Sequence, residues 1–155
     1  MTKRYRPCAG IVLFNDNNQV FVGERLDTPG AWQMPQGGID DGEDIENAAF
    51  RELKEETGIG KNSAEIIRIA DETIRYDLPE FLRKKLWRGY YYGQEQTWIA
   101  MRFKGDDSEI DLKTHYPAEF SKWQWVDLED TLSLIVPFKR DVYSKIIDMF
   151  SDIAT

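Results

Sequence analysis

Residues 37–59 read GGIDDGEDIENAAFRELKEETGI, and this stretch decides how the rest of the chain is interpreted. Within it, residues 44–57 predict a helix, because acidic residues fill the first turn and good helix formers follow. Gly58 comes directly after these residues and is a typical helix stop. We therefore expect a helix that ends at Thr57.

The glutamates of this helix share one side with small apolar residues. With about 100° of rotation per residue, Glu52 and Glu56 face the same way as Ala49, and Glu55 lies at the edge of that face beside Ala48. Three polar residues are placed on the other side of the helix: Asn47, Arg51 and Lys54. The glutamates are therefore expected to point towards something that packs closely against the helix.

Like charges three and four residues apart repel each other on a helix, and partial burial strengthens the repulsion. A bound cation relieves it, and a set of oxygen ligands suits magnesium or manganese better than zinc. The alternative is a solvated acidic surface with no ligand, which is what most glutamate-rich helices present. The helix pattern alone leaves both interpretations open.

The spacing within residues 37–59 resembles the Nudix box, G-x5-E-x7-R-E-U-x-E-E-x-G-U, where U is a bulky aliphatic residue. The chain fills every fixed position of that pattern: Gly37, Glu43, Arg51, Glu52, Leu53, Glu55, Glu56, Gly58 and Ile59. The resemblance implies an α/β fold, a Nudix-type α/β/α sandwich with a mixed β-sheet. It further implies one Nudix hydrolase domain over residues 1–155, with the box at 37–59.

The family resemblance also assigns roles to the residues of the box. It implies that the backbone carbonyl of Gly37 and the carboxylates of Glu52, Glu55 and Glu56 bind divalent metal, and that Arg51 pairs with Glu43 to hold the loop against the helix. The implied cofactor is Mg²⁺, with Mn²⁺ or Zn²⁺ as substitutes. One glutamate then accepts a proton from the attacking water. We favour Glu52 as ligand and base, although the pattern does not separate these roles.

Segments outside the box resemble one subgroup, the bacterial RNA 5′-pyrophosphohydrolases and the similar dinucleoside polyphosphate hydrolases. The matching segments run through most of the chain: YRPCAGIV, WQMPQGGI, RYDLP at 75–79, GQEQTW at 93–98, PAEFSKWQWV at 117–126 and PFKRDVY at 137–143. The resemblance implies hydrolysis of a phosphoanhydride bond at a nucleoside 5′-polyphosphate end. The expected reactions are removal of pyrophosphate from 5′-triphosphorylated RNA, or cleavage of diadenosine tetraphosphate into ATP and AMP.

The same resemblance points to five further residues outside the box. Glu119 is expected to be an additional metal ligand or base that reaches the site from another loop. Arg6 and Arg25 are expected to contact substrate phosphates, which suits the fork of the guanidinium group. Phe138 and Lys139 are expected to stack on a base and contact a phosphate. For Glu119 and the two arginines the alternative is an ordinary surface charge.

Residues 75–93 are basic and aromatic in a chain whose net charge is −8. Basic side chains interleaved with aromatic rings suit stacking on bases and contact with a phosphate backbone, so we expect a functional loop. Its expected substrate-binding residues are Tyr76, Arg83, Lys84 and Lys85. The alternative is a loop that folds back onto the core through its aromatic rings.

Shorter patterns predict the remaining elements. Residues 9–14 and 19–23 predict a β-hairpin, residues 35–38 a tight loop, and residues 140–150 an amphipathic helix. Further strands are predicted at 32–34, 64–75, 97–103 and 123–126. His115 is expected to be a solvent-exposed loop residue.

Composition narrows the partners and the compartment. A single cysteine, Cys8, cannot form an internal disulfide, so a cytoplasmic location is the default. The first apolar run is too short to cross a membrane, and the net charge of −8 argues against duplex DNA. We expect a nucleoside polyphosphate or a 5′-triphosphorylated RNA as the partner, and a monomer as the oligomeric state.

Two rival functions stay open. One is a mononucleotide pyrophosphatase, against which the large basic-aromatic segment argues. The other is a non-catalytic Nudix module that only senses nucleotides or RNA. The complete set of box residues argues against the sensor, because binding alone does not require it.

Overall fold

The structure, a computed structural model, describes residues 3–155 apart from the side chain of Trp87. Within this part, eight strands form one sheet: β1 (Tyr5–Phe14), β2 (Val20–Arg25), β3 (Trp32–Gln33), β4 (Gln36–Gly38), β5 (Ala64–Ile69), β6 (Ile74–Asp77), β7 (Gly93–Phe103) and β8 (Phe120–Val126). The helices are α1 (Ile45–Thr57), α2 (Glu80–Lys85), α3 (Thr131–Leu134) and α4 (Arg140–Ala154). None of these helices is long and apolar enough to cross a membrane.

The central strands β1 and β7 run parallel, while the other strand pairs are antiparallel, so the sheet is mixed. The path across the sheet is β3–β2–β1–β7–β5, and β8, β4 and β6 pair with β2, β1 and β7 respectively. Strand β1 is therefore enclosed on both edges. Its long apolar run fits a strand that is also covered on both faces, because such a strand carries apolar side chains on each face.

Side chains of β1 alternate between two cores. Ile11 and Leu13 pack with α1, whereas Val12 and Phe14 pack with α4 on the opposite face. Successive strand residues point to opposite faces, so a single buried strand contributes to both layers. The expected α/β/α sandwich with a mixed sheet is confirmed.

Helix α1 begins and ends where the sequence predicts. The Asp44 side chain accepts from the Asn47 amide at 2.8 Å, which caps the first turn. Gly58 follows with φ at 79°, a left-handed conformation that glycine adopts at low cost. The predicted β-hairpin is also confirmed, with Phe14 opposite Val20.

Two strand predictions are wrong in detail. Residues 35–38 are not only a loop, because β4 pairs there with β1. A Cβ on Gly38 would overlap the guanidinium of Arg6, so the absence of a side chain leaves room for that guanidinium beside β4. Residues 64–75 form two strands, β5 and β6, which both pair with β7 rather than making one continuous strand.

The segment at 75–93 is more ordered than a loop. It contains the end of β6, the helix α2 and a 3₁₀ turn over Trp87–Gly89. Pro79 precedes α2, a position where its missing N–H costs nothing. The C-terminal helix α4 extends beyond the predicted end at residue 150, to Ala154.

Candidate active site

A cavity of about 680 Å³ lies between α1, β4, the α2 segment and the loop that precedes β8. Most of the side chains expected to act in a site line this one cavity: Arg6, Arg25, Gly37, Glu52, Glu55, Glu56, Tyr76, Glu119, Phe138 and Lys139. Residues separated by more than a hundred positions in the chain thus meet in one place. Arg51, Arg83, Lys84 and Lys85 are not among the lining residues.

Glu52 and Glu56 are buried carboxylates in the wall of the cavity. They are 9% and 3% exposed. Burial raises the pKa of both, and for Glu56 the neighbouring Glu52 carboxylate raises it well further. Without a cation, the pair therefore holds a proton to a higher pH than isolated carboxyls would.

This raised pKa predicts how pH affects the stability of metal-free protein. With divalent metal removed by a chelator, we expect the unfolding free energy to fall as pH rises above 4.5, the ordinary pKa of the Glu56 carboxyl. The sign follows because the folded state then binds more protons than the unfolded state. Denaturant titrations between about pH 5 and pH 8 would measure it.

Glu56→Gln is expected to flatten this decline, because the amide has no proton to lose. Glu46→Gln is the control, since Glu46 lies exposed in the first turn of the same helix. Parallel stability curves for wild type and Glu56→Gln would contradict the expectation.

Arg51 connects the helix to the preceding loop through a set of charged contacts. Its Nε and Nη2 donate to the two carboxylate oxygens of Glu43 at 2.8 and 2.9 Å, and Nη2 also donates to the Gly38 carbonyl at 2.8 Å. Its Nη1 donates to Glu52 at 2.9 Å and to Glu55 at 3.3 Å. These bonds hold the pKa of Glu43 down, at about 2. The Arg51–Glu43 pairing implied by the family resemblance is therefore present.

Arg51 was predicted to lie with Asn47 and Lys54 on the side of the helix away from the glutamates, but its side chain does not stay there. The wheel follows the backbone, but the long arginine side chain reaches around the helix to Glu52 and Glu55. Arg51 thus donates hydrogen bonds to Glu52 and Glu55 but does not line the cavity.

Oxygen donors at the cavity fit a hard divalent cation. A Cβ on Gly37 would overlap the Glu52 carboxylate, so this strand backbone approaches the glutamates closely. Glu56 Oε2 is buried and has no hydrogen-bond partner, which is a costly state that a cation would relieve. No three histidine, cysteine or carboxylate side chains within residues 3–155 already lie close enough to bind one ion. Glu55 instead accepts from Arg51.

Positively charged side chains line the same cavity. Arg25 is held by two bonds to Asp27, at 2.7 and 2.8 Å, and by one to Gln33. Lys139 is 7% exposed. Burial, with help from the nearby Arg25, lowers the pKa of Lys139 to about 8. A polyanion with several phosphates would find both cations at one end of its binding site.

The basic-aromatic segment contributes differently from the expectation. Arg83 lies over the Tyr92 ring, 4.0 Å from its centroid, while Lys84 and Lys85 are exposed outside the cavity. Tyr90 and Tyr91 pack edge to face. The cavity is lined instead by apolar residues of this segment: Leu78, Phe81, Leu82 and Leu86. Tyr76 of the same segment both lines the cavity and packs against the core.

Several polar residues of the cavity escaped the sequence interpretation. Gln33, Gln36, Gln94 and His115 all line it. His115 is exposed, as expected, but its loop faces the cavity. The three glutamines lie in segments that resemble the family, but the resemblance gave them no role, and for Gln94 the strand register, opposite Arg6 and Tyr76, reveals the position.

Comparison with known proteins agrees with this architecture. The family model described as NUDIX domain matches residues 4–146. An RNA pyrophosphohydrolase of Sphingopyxis alaskensis is 56% identical over 147 residues, 94% of this chain and 92% of that protein. An RNA pyrophosphohydrolase of Novosphingobium aromaticivorans is 53% identical over 151 residues, 96% of this chain and 94% of that protein.

Solved structures share the fold at lower identity. The E. coli dihydroneopterin triphosphate pyrophosphohydrolase superposes with a TM-score of 0.70 at 21% identity, covering 94% of this chain and 99% of the other. A C. elegans Ap4A hydrolase superposes with a TM-score of 0.67, also at 21% identity, covering 97% and 99%. Members of the matched family generally require a divalent metal ion. The box residues, the sandwich around them and the family match agree, and the chain belongs to the Nudix hydrolase family.

Proposed function

We propose that this enzyme removes pyrophosphate from the 5′-triphosphorylated end of RNA, with Mg²⁺ as its cofactor. The observation that carries the proposal is the match to RNA pyrophosphohydrolases at 56% and 53% identity, which extends over more than nine-tenths of each chain. The cavity supports it, because buried carboxylates, the buried Lys139 and two arginines line one space large enough for a nucleotide.

The metal-binding residues in this proposal are the box glutamates and their neighbours. Glu52 and Glu56 would hold Mg²⁺ together with the Gly37 carbonyl, and Glu55 and Glu119 would complete the ligand set. Bound Mg²⁺ supplies charge neutralisation of the phosphates and a lower pKa for the attacking water. Glu55 accepts from Arg51 through Oε2 at 3.3 Å, so Oε1 is the oxygen that would bind the ion.

Glu52 is the proposed base. Arg51 binds Glu52 Oε1, so Oε2 is the oxygen that accepts the proton of the attacking water. The water attacks the α-phosphorus, the anhydride bond between the α- and β-phosphates breaks, and the electron pair leaves with pyrophosphate. RNA with a 5′-monophosphate remains. Mn²⁺ or Zn²⁺ could replace Mg²⁺ in the same oxygen environment.

The cations and rings of the cavity bind the substrate in this proposal. Arg6, Arg25 and Lys139 contact the phosphates, because all three line the same cavity as the carboxylates. Phe138, which is 41% exposed, offers a ring on which the first base can stack. Tyr76 lines the same cavity. Its hydroxyl is buried and has no hydrogen-bond partner among the described residues.

Lys84, Lys85 and Arg83 contact the RNA beyond its first nucleotides in this proposal. They lie in the same segment as the cavity-lining Phe81 and Leu82, so a chain that leaves the cavity passes near them. We expect the double variant Lys84→Glu/Lys85→Glu to raise the KM for a triphosphorylated RNA of about 20 nucleotides several-fold at low salt. The KM for diadenosine tetraphosphate should change by less than about twofold, because this shorter substrate does not reach Lys84 and Lys85.

Salt provides the control for this prediction. The KM difference should shrink as salt rises from about 0.05 to 0.2 M, since exposed charges are screened. A double variant with the same charge change, Lys104→Glu/Lys145→Glu, is the matched control, because both lysines are exposed and outside the cavity. Equal effects of the two double variants would contradict a local RNA contact.

The experiment that tests the proposed function is product analysis with two substrates. Purified protein and Mg²⁺ are incubated with 5′-triphosphorylated RNA and, separately, with diadenosine tetraphosphate. Faster release of pyrophosphate from RNA supports the proposal. Faster formation of ATP and AMP would replace it with dinucleoside polyphosphate hydrolysis. Faster hydrolysis of single nucleoside triphosphates would favour a mononucleotide pyrophosphatase, and binding without any product would favour a sensor.

We further propose that residues 1–155 act as one monomeric Nudix domain in the cytoplasm. Residues 1 and 2 of that span lie outside the described part of the structure. Cys8 is fully buried and burial raises its thiol pKa to about 11, so it needs no disulfide partner. Sedimentation of the purified protein would test the oligomeric state.

A further inference from the structure

A buried chain of hydrogen bonds runs along one face of β7 and ends at the cavity. The indole Nε1 of Trp98 donates to Gln96 Oε1 at 2.8 Å, and Gln96 Nε2 donates to Gln94 Oε1 at 3.0 Å. These residues alternate along the strand, so their side chains lie on the same face. Their exposed fractions are 1%, 2% and 7% respectively, and Gln94 lines the cavity.

The indole sets the direction of this chain. An indole N–H can only donate, so the amide facing it must present its oxygen. The Gln96 oxygen is thereby turned to Trp98, and its NH₂ group is turned to Gln94. Gln94 must then present its own oxygen to Gln96, which leaves its NH₂ as the end of the chain. No other amide orientation satisfies all these buried groups.

The Gln94 amide lies among other residues that line the cavity. In the sheet, Gln94 lies opposite Arg6 of β1 on one side and opposite Tyr76 of β6 on the other. All three line the cavity. An amide that presents N–H groups beside an arginine suits an anionic oxygen, whereas an amide turned the other way would present its oxygen to that anion.

We infer that Gln94 is a substrate-binding residue, whose amide N–H groups donate to an oxygen of the substrate's phosphate chain, and that Gln96 and Trp98 are positioning residues for it. The inference rests on the proposed function, because it takes a polyphosphate as the ligand. It adds a neutral donor to Arg6, Arg25 and Lys139. The orientation of that donor is fixed from the core of the protein.

A double-mutant cycle tests this chain. Gln94→Leu removes the donor, and Gln96→Met removes the link while keeping a side chain of similar length. Each single variant should raise the KM for 5′-triphosphorylated RNA roughly tenfold, as expected for a lost hydrogen bond to a charged group. The kcat should change by less than about twofold, because the contact is made in both ground and transition states. The double variant should show no further rise in KM.

The cycle separates positioning from general damage. If Gln96→Met acted only by loosening the sheet, it would raise KM by the same factor with Gln94 or Leu at position 94, and the inference would fail. Trp98→Phe should resemble Gln96→Met. Trp125→Phe is the matched control, because Trp125 also donates from its indole, to Asp107 at 3.2 Å, but lies outside the cavity. It should leave KM unchanged.

Binding keeps the inference testable apart from the proposed reaction. Calorimetry with a 5′-triphosphorylated trinucleotide whose phosphates are joined by methylene bridges measures affinity without cleavage. The same cycle of variants should weaken this binding roughly tenfold, without additivity. If the wild type binds the analogue with this pattern but releases no pyrophosphate from RNA, the proposed function fails and the inference stands. Unchanged or additive affinities would overturn the inference, whatever the activity.

Discussion

Glu56→Gln is expected to abolish most activity while making the metal-free protein more stable. The carboxylate is 3% exposed and lies beside Glu52, so its charge is unfavourable in the absence of a cation. The amide keeps the shape but removes a ligand charge. We expect kcat to fall well beyond the ~10–100-fold typical for loss of a group that only supports a ligand.

The opposite signs of the two effects make this variant informative. A loss of activity through misfolding would lower the unfolding free energy, whereas we expect it to rise at neutral pH without metal. Steady-state kinetics with Mg²⁺ and denaturant titration with a chelator measure the two effects. The control Glu46→Gln should change neither. Near-normal turnover of Glu56→Gln would sink the assignment of Glu56 to the metal site.

Arg51→Ala is expected to cause the largest loss of stability among single substitutions in the box. It removes the hydrogen bonds that join Glu43, Glu52 and the Gly38 carbonyl, and it leaves partly buried carboxylates unpaired. We expect a loss of roughly 2–4 kcal/mol in unfolding free energy. Activity should fall as well, because strand β4, which contains Gly37, loses its hydrogen bond to Arg51 of the helix.

Arg68→Ala is the matched control for this prediction. Arg68 also donates twice to one carboxylate, that of Asp152, and once to a carbonyl, that of Met149. Its pair is exposed, however, with side-chain exposures of 42% and 63%, so its loss should cost no more than about 1 kcal/mol. Arg51→Lys should recover only part of the stability, since an ammonium cannot reproduce the fork. Equal losses for Arg51→Ala and Arg68→Ala would show that partial burial adds nothing to the Arg51 contacts.

The local elements of this protein follow from short-range sequence signals. Asp44 and Gly58 mark the two ends of α1, because capping depends on residues within one turn. The apolar run of β1 and the turn after Phe14 give the hairpin in the same way. The spacing of the box places Glu52 and Glu56 on one side of a helix. Family, fold and reaction class were predicted by the resemblance of residues 37–59 to the Nudix box, and not by these local signals.

Contacts between residues far apart in the chain decided the features that the sequence predicted wrongly. Gly37 and Gly38 resemble a loop in sequence, yet they form β4 because β1 offers an unpaired edge and their lack of side chains permits close approach. Lys84 and Lys85 resemble cavity residues, yet α2 turns them outward and Leu82 inward. These outcomes depend on which surfaces meet, and helical or strand periodicity does not contain that information.

Gln94 shows most clearly the difference between what the sequence predicts and what the tertiary structure decides. It lies in the segment GQEQTW, which resembles a family segment, but that resemblance assigned it no role. Only the pairing of β7 with both β1 and β6 brings it between Arg6 and Tyr76, and only the packing of Trp98 in the core turns its amide. The sequence by itself determined that the glutamates share one side of a helix, because that depends on spacing within one helix. Only the tertiary structure showed that Gln33, Gln36 and Gln94 line the same cavity, because these neutral groups come from strands far apart in the chain.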